Sequence, residues 1–194
     1  MCFIVSHLGS GSDDLVNILN KNPQCSIIQS EINYKNYLSL YKMFDIDHPC
    51  RNASAIYGDH ILYNMSISSK CFYDFCKFIY VVREPRASLN YIVDNFRYSP
   101  ENAKKYYCFR LRRIYEMFKK TKNSIFLNWD DLDKKTTFDL IEKYLGLNKK
   151  LDIKLDYFKS GYKNSCDENL LIQAEDTYEK YYYYFKEITT KRNK

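Results

Sequence analysis

An unbroken apolar run at the start of the chain predicts a strand over 2–6, and the Gly-Ser-Gly-Ser turn at 9–12 then opens a helix over about 12–21. In "EINYKNYLSLYKMF", apolar and aromatic positions recur at helical spacing and predict a second helix, followed by a polar, poorly patterned loop from Asp45 to Ala53. "AIYGDHILYNMSI" holds a short strand whose register the pattern does not fix, and "KCFYDFCK" reads as a short helix or turn. The clearest element is "KFIYVVREP", a run of buried-strand residues from Phe78 to Val82 stopped by Arg83, Glu84 and Pro85.

Beyond it, "RASLNYIVDNF" is helical. A long amphipathic helix follows over "SPENAKKYYCFRLRRIYEMFKKTK", with Ser99 as cap, Pro100 at its first position and Glu101 and Asn102 in its first turn. "SIFLNWDDL" predicts a strand leading to a loop, and "TTFDLIEKYLGL" a helix closed by Gly146. The last segment predicts a helix over about 168–190 whose tyrosines pack rather than stack on bases. Strands alternating with helices imply an α/β fold, a mainly parallel sheet covered on both faces with ligands at the carboxyl ends of its strands.

Length and composition narrow this picture. With 194 residues, 45% of them hydrophobic, one sizeable core and one domain over 1–194 are expected; no repeat or long linker divides the chain. The formal charge of +6 favours anionic ligands without marking a nucleic-acid partner, and solvated surface lysine accounts for it equally. Seven scattered cysteines show neither zinc nor redox spacing, so a reducing compartment is expected and no metal. The absence of a signal-like segment or a long apolar run gives the expectation of a cytoplasmic protein with no membrane partner.

The turn at Gly9, Ser10, Gly11 and Ser12 has the chemistry of an anion site. Amides at a helix N-terminus are unpaired donors at the positive end of the dipole, and glycines let a phosphate approach the backbone. No Gly-Lys-Ser/Thr follows, so no lysine reaches a terminal phosphate as in nucleoside triphosphatases. Arg83, at the carboxyl end of a buried strand, offers a planar fork of donors for a second phosphate, with Arg86 one turn further on. A pairing of that arginine with Glu84 or Asp94 is the structural alternative.

Together, "GSGS" at 9–12, "FIYVVREPRASLNY" at 78–91 and "LNWDDLDKKTTFDLIEKYLGL" at 127–147 resemble, in order and spacing, the motifs of the sulfotransferase family. That family moves a sulfuryl group from 3′-phosphoadenosine 5′-phosphosulfate (PAPS) to an acceptor hydroxyl or amine. The resemblance implies a three-layer α/β sandwich of the P-loop-containing nucleotide hydrolase kind, with PAPS as co-substrate. It implies that the amides from Gly9 to Asp13 hold the phosphosulfate and that Arg83 holds the 3′-phosphate. Trp129, the chain's one tryptophan, falls where the family carries an adenine platform, a buried core indole being the alternative. Lys159, Gly161 and Lys163 of "FKSGYKNS" fall where a basic segment closes over the nucleotide, an ordinary solvated loop being the alternative.

The chain also departs from the family. The loop cation falls on Gly9, and the serine that helps hold the 3′-phosphate falls on Tyr91, with Asn90 and Ser88 nearby. Asp13 and Asp14 suit the helix dipole on the outer side of the turn, and His7 is the nearest titratable group upstream. Two residues stand where relatives carry the general base, Glu31 and His60. Acceptor identity stays open among carbohydrate, small molecule and protein tyrosine. Two rival readings are a nucleotide-binding protein that kept the fold without turnover, and another phosphate-loop enzyme such as a small kinase; the latter lacks both the lysine and a magnesium-binding serine.

Overall fold

The computed structural model describes residues 1–28, 56–62, 70–131, 135–152 and 166–192. The helix expected over 31–44, the loop from Asp45 to Ala53, and Glu31, Lys159, Gly161 and Lys163 all lie outside them. At the centre is β1 (Cys2–Val5), buried at all four positions because it has a neighbour on each edge and a layer on each face. It pairs in parallel with β3 (Ile56–Ile61) on one side and β4 (Lys77–Val82) on the other, and β2 (Cys25–Ile28) and β5 (Ser124–Asn128) complete a five-stranded sheet of order β2-β3-β1-β4-β5.

The two-residue period of a strand sends alternate side chains to opposite faces, and both central strands obey it. Phe3, Val5, Phe78, Tyr80 and Val82 meet one core, shared with α3 (Pro85–Phe96), α4 (Pro100–Lys120) and α6 (Glu168–Arg192). Cys2, Ile4, Ile79 and Val81 meet the other, under α1 (Ser12–Asn20) and α5 (Lys135–Leu145). The result is the expected α/β architecture, a parallel sheet between two helical layers. A short α2 (Lys70–Phe75) leads into β4.

Local signals set most element ends. The Ser99 hydroxyl caps α4 by accepting from the Asn102 amide, and Pro100 occupies its first position, as the sequence predicts. Expected helix α6 runs two residues further than anticipated, to Arg192, and its tyrosines do pack: the Tyr115 ring of α4 lies 5.4 Å from Tyr181 and 5.5 Å from Tyr184. The helix α1 opens at Ser12 as expected, with Gly11 in a left-handed conformation as its cap, whereas β2 emerges from a stretch the pattern left unassigned. Among the described residues no helix is long and apolar enough to cross a membrane.

Candidate nucleotide site

The parallel register places the carboxyl ends of β1, β3 and β4 side by side, with Val5 opposite both Ile61 and Tyr80. From there the chain turns through residues 6–11 into α1. Gly9 and Gly11 take φ of +75° and +78°, conformations that cost other residues energy. Neither glycine has room for a side chain. A Cβ at Gly9 would lie 2.8 Å from the Ser88 carbonyl oxygen and 3.2 Å from Tyr91 Cδ1, and one at Gly11 would run into the Trp129 indole. The turn is thus clamped between α3 and the tryptophan, which is buried at 4% exposure with Leu127 and Phe138. The family cation that falls on Gly9 has no space there.

His7 does not supply that cation either. Its Nδ1–H donates to the Leu8 carbonyl at 2.8 Å, and its Nε2 accepts from the Arg83 amide at 3.1 Å. Burial, aided by the nearby Arg110 and Arg83 charges, lowers its pKa to about 4, so the ring is neutral. Its role is to stitch the end of β1 to the end of β4, with its ring edge-on to Tyr107 at 5.0 Å.

Arg83 is held by its backbone on both sides, since the Tyr107 hydroxyl donates to its carbonyl at 2.6 Å. Its Nε lies 3.5 Å from Asp130 Oδ1, and the Glu84 amide donates to Asp130 Oδ2 at 3.3 Å. The arginine expected to meet a phosphate thus faces a carboxylate of the Trp-Asp-Asp turn. Glu84 caps α3, accepting from the amides of Arg86 at 2.6 Å and Ala87 at 2.7 Å. Arg86 reaches Glu168 through both terminal nitrogens, at 2.5 and 3.2 Å, and so pins the first turn of α6 to α3. Asn90 is buried and accepts from the Cys166 amide at 3.0 Å, while Tyr91 sits beside Gly9 and tilts against Phe96. The Ser88 hydroxyl donates to the Glu84 carbonyl at 2.9 Å.

His60 ends up inside the loop. It is 2% exposed, and its Nε2 lies 2.8 Å from both Ser6 Oγ and Ser12 Oγ. Those hydroxyls are 2.7 Å apart, and the Ser10 hydroxyl donates to Ser12 Oγ at 2.9 Å. On the other edge of the ring, Asp13 Oδ1 is 3.4 Å from Nδ1. Asp13, expected on the outer side of the turn, thus faces the imidazole, although its side chain is 56% exposed. Asp14 has its pKa raised by burial and by Asp13, with Arg83 pulling it back.

Arg110 is a residue that sequence reasoning missed. Fully buried in α4, it donates from Nε to the Ser6 carbonyl at 2.9 Å and from Nη2 to the Ile61 carbonyl at 3.0 Å, joining the ends of β1 and β3. Burial lowers its pKa to about 10, which still leaves it charged at neutral pH.

No family model and no curated protein matches the chain. Solved structures do. Mouse sulfotransferase SULT7A1 complexed with PAP superposes with a TM-score of 0.56 at 16% identity, over 98% of this chain and 82% of that one. The sulfotransferase domain of the Synechococcus PCC 7002 olefin synthase gives 0.53 at 14% identity, over 92% and 94%. These likenesses establish the sulfotransferase fold.

Proposed function

We propose that the protein is a PAPS-dependent sulfotransferase. The observation that carries this reading is the juxtaposition, at neighbouring strand ends, of a glycine turn opening a helix and the guanidinium of Arg83. That pairing suits a nucleotide with a phosphate at each end, and a fold neighbour was crystallised with PAP. In the reaction we propose, amides of Gly9 to Asp13 hold the 5′-phosphosulfate, and the 3′-phosphate replaces Asp130 as the partner of Arg83. An acceptor oxygen attacks sulfur in line. As that bond forms, the bond from sulfur to the 5′-phosphate oxygen breaks, leaving PAP, and Glu31 takes the acceptor's proton. His60 suits this task less, because its Nε2 is turned to Ser6 and Ser12. Trp129 supports the loop from beneath the adenine, and Lys159 and Gly161 close over the nucleotide.

The test is transfer of radiolabelled sulfate from PAPS to a panel of phenols, alcohols, amines, oligosaccharides and tyrosine peptides. Transfer above background that is abolished in Glu31→Gln is expected. Tight PAP binding without transfer to any acceptor would favour a binding protein, the reading that the blocked position at Gly9 supports.

A further inference from the structure

We propose that His60 is the loop's cation, taking up a proton when an anion binds at residues 9–13. The inference rests on the loop being the anion site of the proposed function, and it starts from the hydrogen-bond directions around the ring. With His60 neutral and Nδ1–H toward Asp13, Nε2 is an acceptor and draws hydroxyl hydrogens inward. Ser12 Oγ, already accepting from Ser10, then directs its hydrogen to the ring or to Ser6. In that state the serine hydrogens of the loop point away from an incoming anion.

A proton on Nε2 reverses the chain. The imidazolium donates to Ser6 and Ser12, one of their hydroxyl hydrogens stays in the 2.7 Å contact between them while the other becomes free to turn outward, and Nδ1–H faces the Asp13 carboxylate as a charged pair. The balance is one proton taken from solvent per anion bound, with no other bond made or broken. Nδ1 itself is buried without a hydrogen bond, and the charged pair with Asp13 would satisfy it. Among the described residues, further titratable or charged groups near His60 are Asp59 of β3, whose Oδ1 accepts the His60 backbone amide at 2.7 Å, Arg110 of α4 on the carbonyls of Ser6 and Ile61, and neutral His7 next to Ser6. His60 thereby acts through Ser12, as a positioning residue whose charge replaces the side chain that Gly9 excludes.

The experiment is calorimetric titration of the full chain with PAP, and separately with inorganic pyrophosphate, in buffers of different ionisation enthalpy at pH 6 and pH 8. Native protein, His60→Gln and Asp13→Asn are compared, so the ligands' own protonation cancels in the differences. We expect the native protein to take up several tenths of a proton more than His60→Gln, and its affinity to fall about tenfold more between pH 6 and pH 8. Asp13→Asn, altered at an exposed carboxylate that leaves the core untouched, should show a reduced uptake and serves where His60→Gln does not fold. Equal uptake and equal pH dependence in native protein and variants would overturn the assignment. Uptake with pyrophosphate but no PAP binding would leave His60 as the loop cation and remove the sulfotransferase reading. Binding of neither anion would overturn both.

Discussion

Gly9 and Gly146 form a matched pair of glycines that separates backbone strain from packing. Both have positive φ, +75° and +76°, but a Cβ at Gly9 meets the Ser88 backbone at 2.8 Å whereas one at Gly146 meets nothing within 4 Å. A left-handed conformation costs an L-residue about 1–2 kcal/mol. Stiffening the unfolded chain with alanine returns about 0.4–1 kcal/mol. Gly146→Ala should therefore destabilise by about 1 kcal/mol. Gly9→Ala carries the same cost plus overpacking against a backbone oxygen that cannot swing aside, about 1–3 kcal/mol more, for a total of about 2–4 kcal/mol. In urea unfolding with a slope of about 2 kcal/mol/M, the midpoint of Gly9→Ala should fall roughly 1 M below that of Gly146→Ala. Equal midpoints would refute the packing of the loop on α3, and with it the reason why no lysine stands at this position. Adding a lysine at Gly9 should for the same reason damage the turn and lower activity.

Three further outcomes follow from the site. Arg83→Ala removes a charge-assisted contact worth about 1.5–3 kcal/mol and should weaken PAP binding ten- to over a hundredfold without loss of fold; unchanged affinity in a calorimetric titration would assign Arg83 to its contact with Asp130 alone. Tyr107→Phe keeps the ring against His7 but strips the 2.6 Å donor from the Arg83 carbonyl, and should cost about 1–3 kcal/mol in chemical denaturation. His7 has a native pKa near 4 against an ordinary 6.5, so between those values the unfolded chain binds the proton and the native protein does not. Stability is full above pH 6.5 and should fall by up to about 3 kcal/mol as pH drops toward 4, a slope that flattens in His7→Gln.

What the sequence disclosed, and what it hid, follows from where the information lies. β1 and β4 are continuous apolar runs because both of their faces are buried, and the Ser99-Pro100 start of α4 is written in adjacent residues. β2 left no mark in the pattern because it is four residues long and only alternately buried, and the register of the expected strand β3 stayed open because Gly58, Asp59 and His60 are buried through pairing and hydrogen bonds rather than through apolarity. That the turn at 9–12 opens a helix and that Arg83 stands at the end of a buried strand were legible from motif order. The reason for the missing cation was not, since it depends on Ser88, seventy-nine residues away along the chain. Arg110 is indistinguishable in sequence from Arg112 and Arg113 on the same amphipathic helix; only the helix's rotation puts it beneath the strand ends. His60 was legible as a titratable group at a strand end, yet its contacts with Ser6 and Ser12 required the fold.

The most direct test of the proposed nucleotide site is the melting temperature of the native protein with PAP, with ADP, and with ATP plus magnesium at equal concentrations. A ligand that binds the native state raises that temperature in proportion to its affinity. The account predicts the largest rise with PAP, because only PAP places phosphates at both the loop and Arg83, and a loss of most of that advantage in Arg83→Ala. An equal or larger rise with ATP plus magnesium, or no rise with any of the three, would contradict it.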